Sequence, residues 1–257
     1  MIDLFIGEFK RTWIQTLRYP SEVIGGVVIL TAVFYGIFLG TQYMAGPDIA
    51  FGDRLDTVVV GYVIWSLVLY IVNDIATNLQ MEARTGTLEQ LFLSPFGAPR
   101  VFLARAIASL TLRSLLTLIV LLIIMAISGS QIAFPPMLLL PLTTLLLGAY
   151  GLAFFIGSLA LVLKNVQQLL SLFQFFLFFL LAAPTEDWTG PARMIANVMP
   201  ILPSTGLLRD LMARDQPLDW RGWAIALVNG LVYFAVGTLL FHWAEDKAKR
   251  QGSLGSY

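Results

Sequence analysis

Cysteine is missing from all 257 residues, and histidine occurs once, at His242. The first absence excludes a disulfide framework, thiolate metal sites and a cysteine nucleophile. The second excludes a multi-histidine metal centre. Lysine is confined to Lys10, Lys164, Lys247 and Lys249, and none closes a G-x-x-x-x-G-K-[ST] phosphate loop. There is no H-E-x-x-H. Charged residues make up 12% of the chain, about half the usual share in soluble proteins. Sixteen cations balance sixteen anions, so there is no electrostatic footprint for nucleic acid. What is present is apolar: 58% hydrophobic residues and a mean hydropathy of +0.79. These numbers exclude an ordinary soluble enzyme and a disordered regulator. They describe a polytopic membrane protein.

A bilayer crossing needs about 20 mostly apolar residues. Six segments qualify: roughly 23–43, 57–79, 102–127, 135–163, 166–183 and 223–243. The expected fold is therefore an all-α integral membrane protein with six transmembrane helices in a single domain, 1–257. Residues 3–19 read as an interfacial helix, with Leu4, Phe5, Phe9, Trp13 and Leu17 at helical spacing. With both termini placed in the cytoplasm, inner segments hold ten Lys and Arg. Outer segments hold five: Arg54, Arg193, Arg209, Arg214 and Arg221. That asymmetry satisfies the positive-inside rule. The tail from Glu245 is polar and reads as frayed.

The loop at 82–95 has the grammar of a short helix. Gly86 permits a sharp turn. Thr87 and Gln90 fit a capping box, Leu88, Leu91 and Phe92 make an apolar face, and Ser94-Pro95 ends the run. Such a helix suits docking into a groove on a partner, or else lies flat on the membrane or its own bundle. The long segment 184–222 is apolar from Pro191 to Met212, broken by Pro200 and Pro203, with Ser204 or Thr205 able to cap a second short helix. Neither half is long enough to cross, so the pair reads as re-entrant or interfacial.

Asp74 in the second span and Arg113 in the third are intramembrane charges and therefore functional candidates. Three readings stand: an ion pair between adjacent spans, an arginine snorkelling to a polar groove, or participation in a transport path. Span five holds Phe173, Phe175, Phe176, Phe178 and Phe179, aromatic all around. Gly36 and Gly40 form a G-x-x-x-G in span one. Gly148, Gly151 and Gly157 in span four suit close packing.

Glu82, Arg84, Gly86-Thr87-Leu88-Glu89, Leu91 and Ser94-Pro95 resemble the E-x-x-x-G-T-L-E-x-L-x-x-S-P signature of ABC type-2 transporter permeases. The interfacial helix, six spans, this loop and the proline-bearing outer segment resemble that family's whole outline. The resemblance implies that Gly86, Thr87, Leu88, Glu89, Leu91, Phe92, Ser94 and Pro95 couple the chain to an ATPase subunit, with Glu82 and Arg84 leading in. It implies an outer gate around Pro200, Pro203, Leu207 and Leu208. It also implies a path bordered by spans one, two and five, which makes Tyr62, Trp65, Phe173, Gln174 and Phe176 substrate-path candidates.

The expected function is the membrane subunit of an ATP-driven exporter of a hydrophobic or amphipathic substrate: a drug, lipid or glycolipid. The expected partners are two ATP-binding subunits, a second permease copy and membrane lipids. No cofactor is expected on this chain, with ATP and Mg on the partner ATPase. A prokaryotic inner membrane is the expected location. A polysaccharide or glycoconjugate exporter is the alternative within the class. A secondary carrier or channel and an intramembrane enzyme are the alternatives outside it. A lone histidine at a span end argues against the enzyme, and the lack of several polar residues at mid-membrane argues against the carrier.

Overall fold

A computed structural model describes residues 2–45, 52–85, 98–162, 167–183 and 185–251, with side chains at most of them. The coupling loop 86–97 lies outside the described residues, as do the side chains of Glu82 and Arg84. Every regular element among the described residues is helical. The helices are α1 (Ile2–Arg18), α2 (Pro20–Ala45), α3 (Gly52–Thr85), α4 (Ala98–Ser128), α5 (Leu139–Val162), α6 (Gln167–Ala182), α7 (Pro191–Val198), α8 (Leu202–Met212) and α9 (Trp220–Gln251). Short 3-10 turns at Pro136–Leu138 and Thr185–Asp187 lead into α5 and follow α6.

Five helices are long and apolar enough to cross a membrane: α2, α3, α4, α5 and α9. The sixth expected span, 166–183, is α6, a helix of 16 residues. At 1.5 Å per residue it is about 24 Å long, short of the roughly 30 Å hydrocarbon core. By contrast α3, with 34 residues, reaches about 50 Å, well beyond that thickness. The tail is not frayed where it was expected to be. Helix α9 continues through Gln251, and Glu245 is buried against the bundle.

Apolar side chains gain little by leaving lipid for another helix, so close backbone approach and hydrogen bonds must hold such a bundle. The most extensive pairing, α5 with α9, uses glycines for this. A Cβ at Gly237 would fall on the Gly151 carbonyl, and one at Gly151 would fall on the backbone of Tyr233. A Cβ at Gly230 would sit 2.7 Å from the Thr144 carbonyl oxygen. Phe154 then fills the seam edge-on to Phe241 and Phe234, at centroid separations of 5.4 and 6.1 Å. Gly157 does the same work toward α3, where a Cβ would lie 3.0 Å from Leu79. Gly36 and Gly40 differ: no atom lies within 4 Å of the place a Cβ would take. Among the described residues, the span-one G-x-x-x-G therefore packs against nothing. In α2 only 6% of the apolar stretch is buried, against 56% in α3 and 61% in α5.

Candidate functional site

Three regions carry the chemistry: an aromatic seam, a polar cavity and the outer hairpin. The seam joins α2, α3 and α6. Tyr62 is buried, and its hydroxyl donates to the Leu30 carbonyl of α2 at 2.7 Å. Its ring lies 5.2 Å from Phe34 and 5.4 Å from Trp65. Trp65 in turn meets Phe178 edge-on at 5.2 Å. Between α3 and α6, Gln174 donates to the Asn73 side chain at 3.1 Å, a hydrogen bond that has no water to compete with it in lipid. Phe173 packs partly against the core. Phe176 is half exposed, and Leu172, Phe175 and Phe179 are more exposed still. Helix α6 is aromatic all around in sequence, but packing divides it into an inner face on α3 and an outer face that is exposed among the described residues.

The polar cavity has a volume of about 550 Å³ and sits where α1 packs on α4, with α2 and α3 completing its wall. Glu8 of α1 holds Arg105 of α4 through both carboxylate oxygens, at 3.3 and 3.4 Å. Asp74 accepts a hydrogen bond from Ser109 at 3.0 Å, with Arg105 near enough for electrostatic attraction. Asp74 and Arg113 line the same cavity but form no ion pair; Arg113 instead lies 3.6 Å from the centre of the Tyr70 ring. A guanidinium over an aromatic face is attracted by the ring quadrupole, yet the Arg113 Nε–H remains buried without a hydrogen-bond partner.

The outer hairpin consists of α7 and α8. Its turn corrects the expected cap. The residue preceding α8 is Ile201, in the left-handed conformation at φ 61°, strained for a β-branched side chain. Ser204 and Thr205 lie within the helix. Ser204 shares a hydrogen bond with Thr144 of α5 at 2.9 Å, and Thr205 donates back to Ile201. Pro203 does not break the helix, because it sits in the first turn, where no backbone donor is required. Pro200 lies in the turn itself. Leu207 and Leu208 are buried, Leu207 packing with Leu211, Leu218 and Ala226.

Two residues that sequence reasoning did not single out hold this hairpin. Arg209, counted above among outer-loop cations, is 1% exposed. It donates to the carbonyls of Ala183, at 2.8 Å, and Leu181, and so caps the carboxyl end of α6. Gly61 gives it room, since a Cβ there would lie 3.3 Å from the guanidinium carbon. Asn229 of α9 donates to the carbonyls of Asn197, Val198 and Met199 at 2.9–3.2 Å. Tyr233 adds a bond to Val198 at 3.0 Å. Carbonyls at the end of α7 would otherwise face an apolar surrounding at a cost of about 1–3 kcal/mol each. A polar residue in an otherwise apolar span was the available signal for Asn229. Outside the bundle, Arg214 grips Asp187 through both oxygens, at 2.7 and 2.8 Å, and holds that carboxyl below the usual range.

Asn229→Leu is expected to destabilise the protein by about 2 kcal/mol, within the range for unpaired buried carbonyls, and to expose the α7–α8 turn to protease. Limited proteolysis in detergent checks this, and an unchanged cleavage rate would remove the capping role.

A comparison with curated proteins gives no match. The family described as ABC-2 family transporter protein matches residues 41–239, more than three-quarters of the chain. That stretch takes in α3 through most of α9, including the hairpin of α7 and α8 and the α3, α4 and α6 sides of the cavity and the seam; α1 and most of α2 precede it. The chain therefore belongs to the ABC-2 transporter family: it is a multi-pass membrane permease subunit of an ABC transporter, a class that works with an ATPase subunit.

Proposed function

We propose that this chain is the export permease of an ATP-driven pump for a hydrophobic or amphipathic substrate. The observation that carries the reading is an unpartnered apolar wall. Ile29 and Leu39 of α2 are exposed, as are Phe175, Phe176 and Phe179 of α6, and Gly36 and Gly40 lie open. A second copy facing this wall would complete a path lined by aromatic and aliphatic side chains, with few charges to repel an apolar solute. Phe176 would face the path, while Tyr62, Trp65 and Gln174 would shape its wall from behind. In this reading α6 serves as the sixth span, both termini are cytoplasmic, and the membrane is a prokaryotic inner membrane.

The energy comes from two separate ATPase subunits carrying ATP and Mg. Thr87, Leu88, Glu89 and Leu91 form the docking face, with Phe92 beside them. Gly86 and Ser94-Pro95 set the ends of the coupling helix, and Glu82 and Arg84 join it to α3. Closure of the ATPases moves α3 and α4, and the outer hairpin around Pro200, Pro203, Leu207 and Leu208 yields to release substrate outward.

Affinity purification in mild detergent tests this directly. A near-stoichiometric P-loop ATPase is expected, lost on Leu91→Asp while the permease stays monodisperse. If no ATPase accompanies an intact permease oligomer, or if Leu91→Asp retains it fully, the coupling assignment fails.

A further inference from the structure

The polar cavity has an apolar neighbour. Above it, the same pair of helices forms an apolar groove of about 440 Å³, lined by Val27, Val28, Thr31 and Tyr35 of α2 and Ile123 and Ile127 of α4. Val23 of α2 lines the cavity, and Val27, Thr31 and Tyr35 follow it at four-residue steps, so all four share one face. On α4, Ser109 lines the cavity and Ile127 the groove. They are five whole helical turns apart and therefore point the same way. From Arg113 to Ile123 is about 15 Å of rise, close to half of a bilayer's hydrocarbon thickness. The cavity and the groove thus follow one another along the same two helices.

The charges in the cavity do not balance. Glu8 is engaged by Arg105 and, at 3.7 Å, by Arg11. Asp74 takes the Ser109 hydroxyl and lies in the field of Arg105. Arg113 has only the face of Tyr70, with one buried N–H unused and no carboxylate partner among the described residues. Three arginines against two acids leave one positive charge, at the cavity wall. A phosphate monoanion or diester matches that deficit and accepts the fork of donors that a guanidinium presents.

We infer that α1, α2 and α4 form a binding site for a glycerophospholipid, with its phosphate between Arg113 and Arg11 and an acyl chain along the α2–α4 groove. The site is separate from the wall formed by α2 and α6, and it does not depend on which substrate is exported. It would fasten α1 to the bundle through lipid as well as through Glu8 and Arg105.

Native mass spectrometry of the delipidated full-length permease tests it. Three probes are titrated: phosphatidylglycerol, the diacylglycerol with the same chains, and sn-glycerol phosphate. Phosphatidylglycerol is expected to bind at least ten-fold more tightly than either of the others. Arg113→Gln should remove most of that preference, and Arg113→Lys should restore part of it. Arg11→Gln, on an exposed part of α1, should weaken binding several-fold without touching the spans, and Ala32→Phe, at a residue that also lines the groove, should obstruct it. Equal binding of phospholipid and diacylglycerol would overturn the site. So would unchanged binding in both arginine variants. Binding of sn-glycerol phosphate as tight as that of the lipid would mark a soluble-phosphate site and overturn the lipid assignment. The permease is measured alone, so failure here leaves ATPase coupling standing, and loss of the ATPase partner leaves this result standing.

Discussion

Gly237→Val should unfold the α5–α9 pairing and give the largest loss of stability of any single change in the membrane region. The glycine Cα already rests against the Gly151 backbone, and a Cβ there would overlap the Gly151 carbonyl. A backbone carbonyl cannot swing aside as a side-chain tip can, so the helices must separate. Overpacking costs about 1–3 kcal/mol in ordinary cores, occasionally more, and this contact belongs at the upper end. Separation also breaks the edge-on contacts of Phe154 with Phe234 and Phe241. Thermal unfolding in detergent, followed by size exclusion, is the measurement. The control is Gly36→Val, where open space receives the new side chain. It should leave the unfolding temperature of the isolated chain unchanged. If the two variants behave alike, backbone proximity does not govern this pairing.

Arg209→Met should be nearly as damaging. Methionine keeps most of the volume but removes every donor together with the positive charge that also acts on Asp187. The carbonyls of Leu181 and Ala183 then remain buried at the end of α6 without their partner. Each costs about 1–3 kcal/mol, so roughly 2–6 kcal/mol is expected in total. Arg209→Lys should rescue only part, because one ammonium cannot reproduce a planar fork reaching two carbonyls. The same thermal assay applies, joined by protease sensitivity of the segment between α6 and α8. A methionine variant as stable as the parent would mean that α6 is anchored by other contacts.

These two residues also show where one-dimensional reading stops. Gly36 and Gly40 form the recognisable motif, yet they are open, while Gly151 and Gly237 carry no shared motif and meet across 86 positions. A helix apolar on every side gives no periodic clue to which face will meet a neighbour. Arg209 lies close in sequence to Asp210 and Arg214 and reads as a loop cation. It is buried because α8 folds back under the end of α6. Asp74 and Arg113 share a cavity, as antiparallel neighbouring spans suggest, but Ser109 and Tyr70 stand nearer and take their places as partners.

The amino-acid sequence by itself determined the membrane class, five of the six crossing helices it led one to expect, and the two short helices of the segment 184–222. Hydropathy and proline placement act locally along the chain, and the bilayer imposes a fixed length. It also carried the family signature, whose match over residues 41–239 is independent of any contact. Tertiary structure alone decided which glycines are pressed together, which arginine caps a neighbouring helix, how α6 divides its aromatic residues, and that Asn229 closes the end of α7. Each depends on a distant backbone carbonyl or ring arriving within about 3–5 Å, and such arrivals are set by how all the helices pack at once.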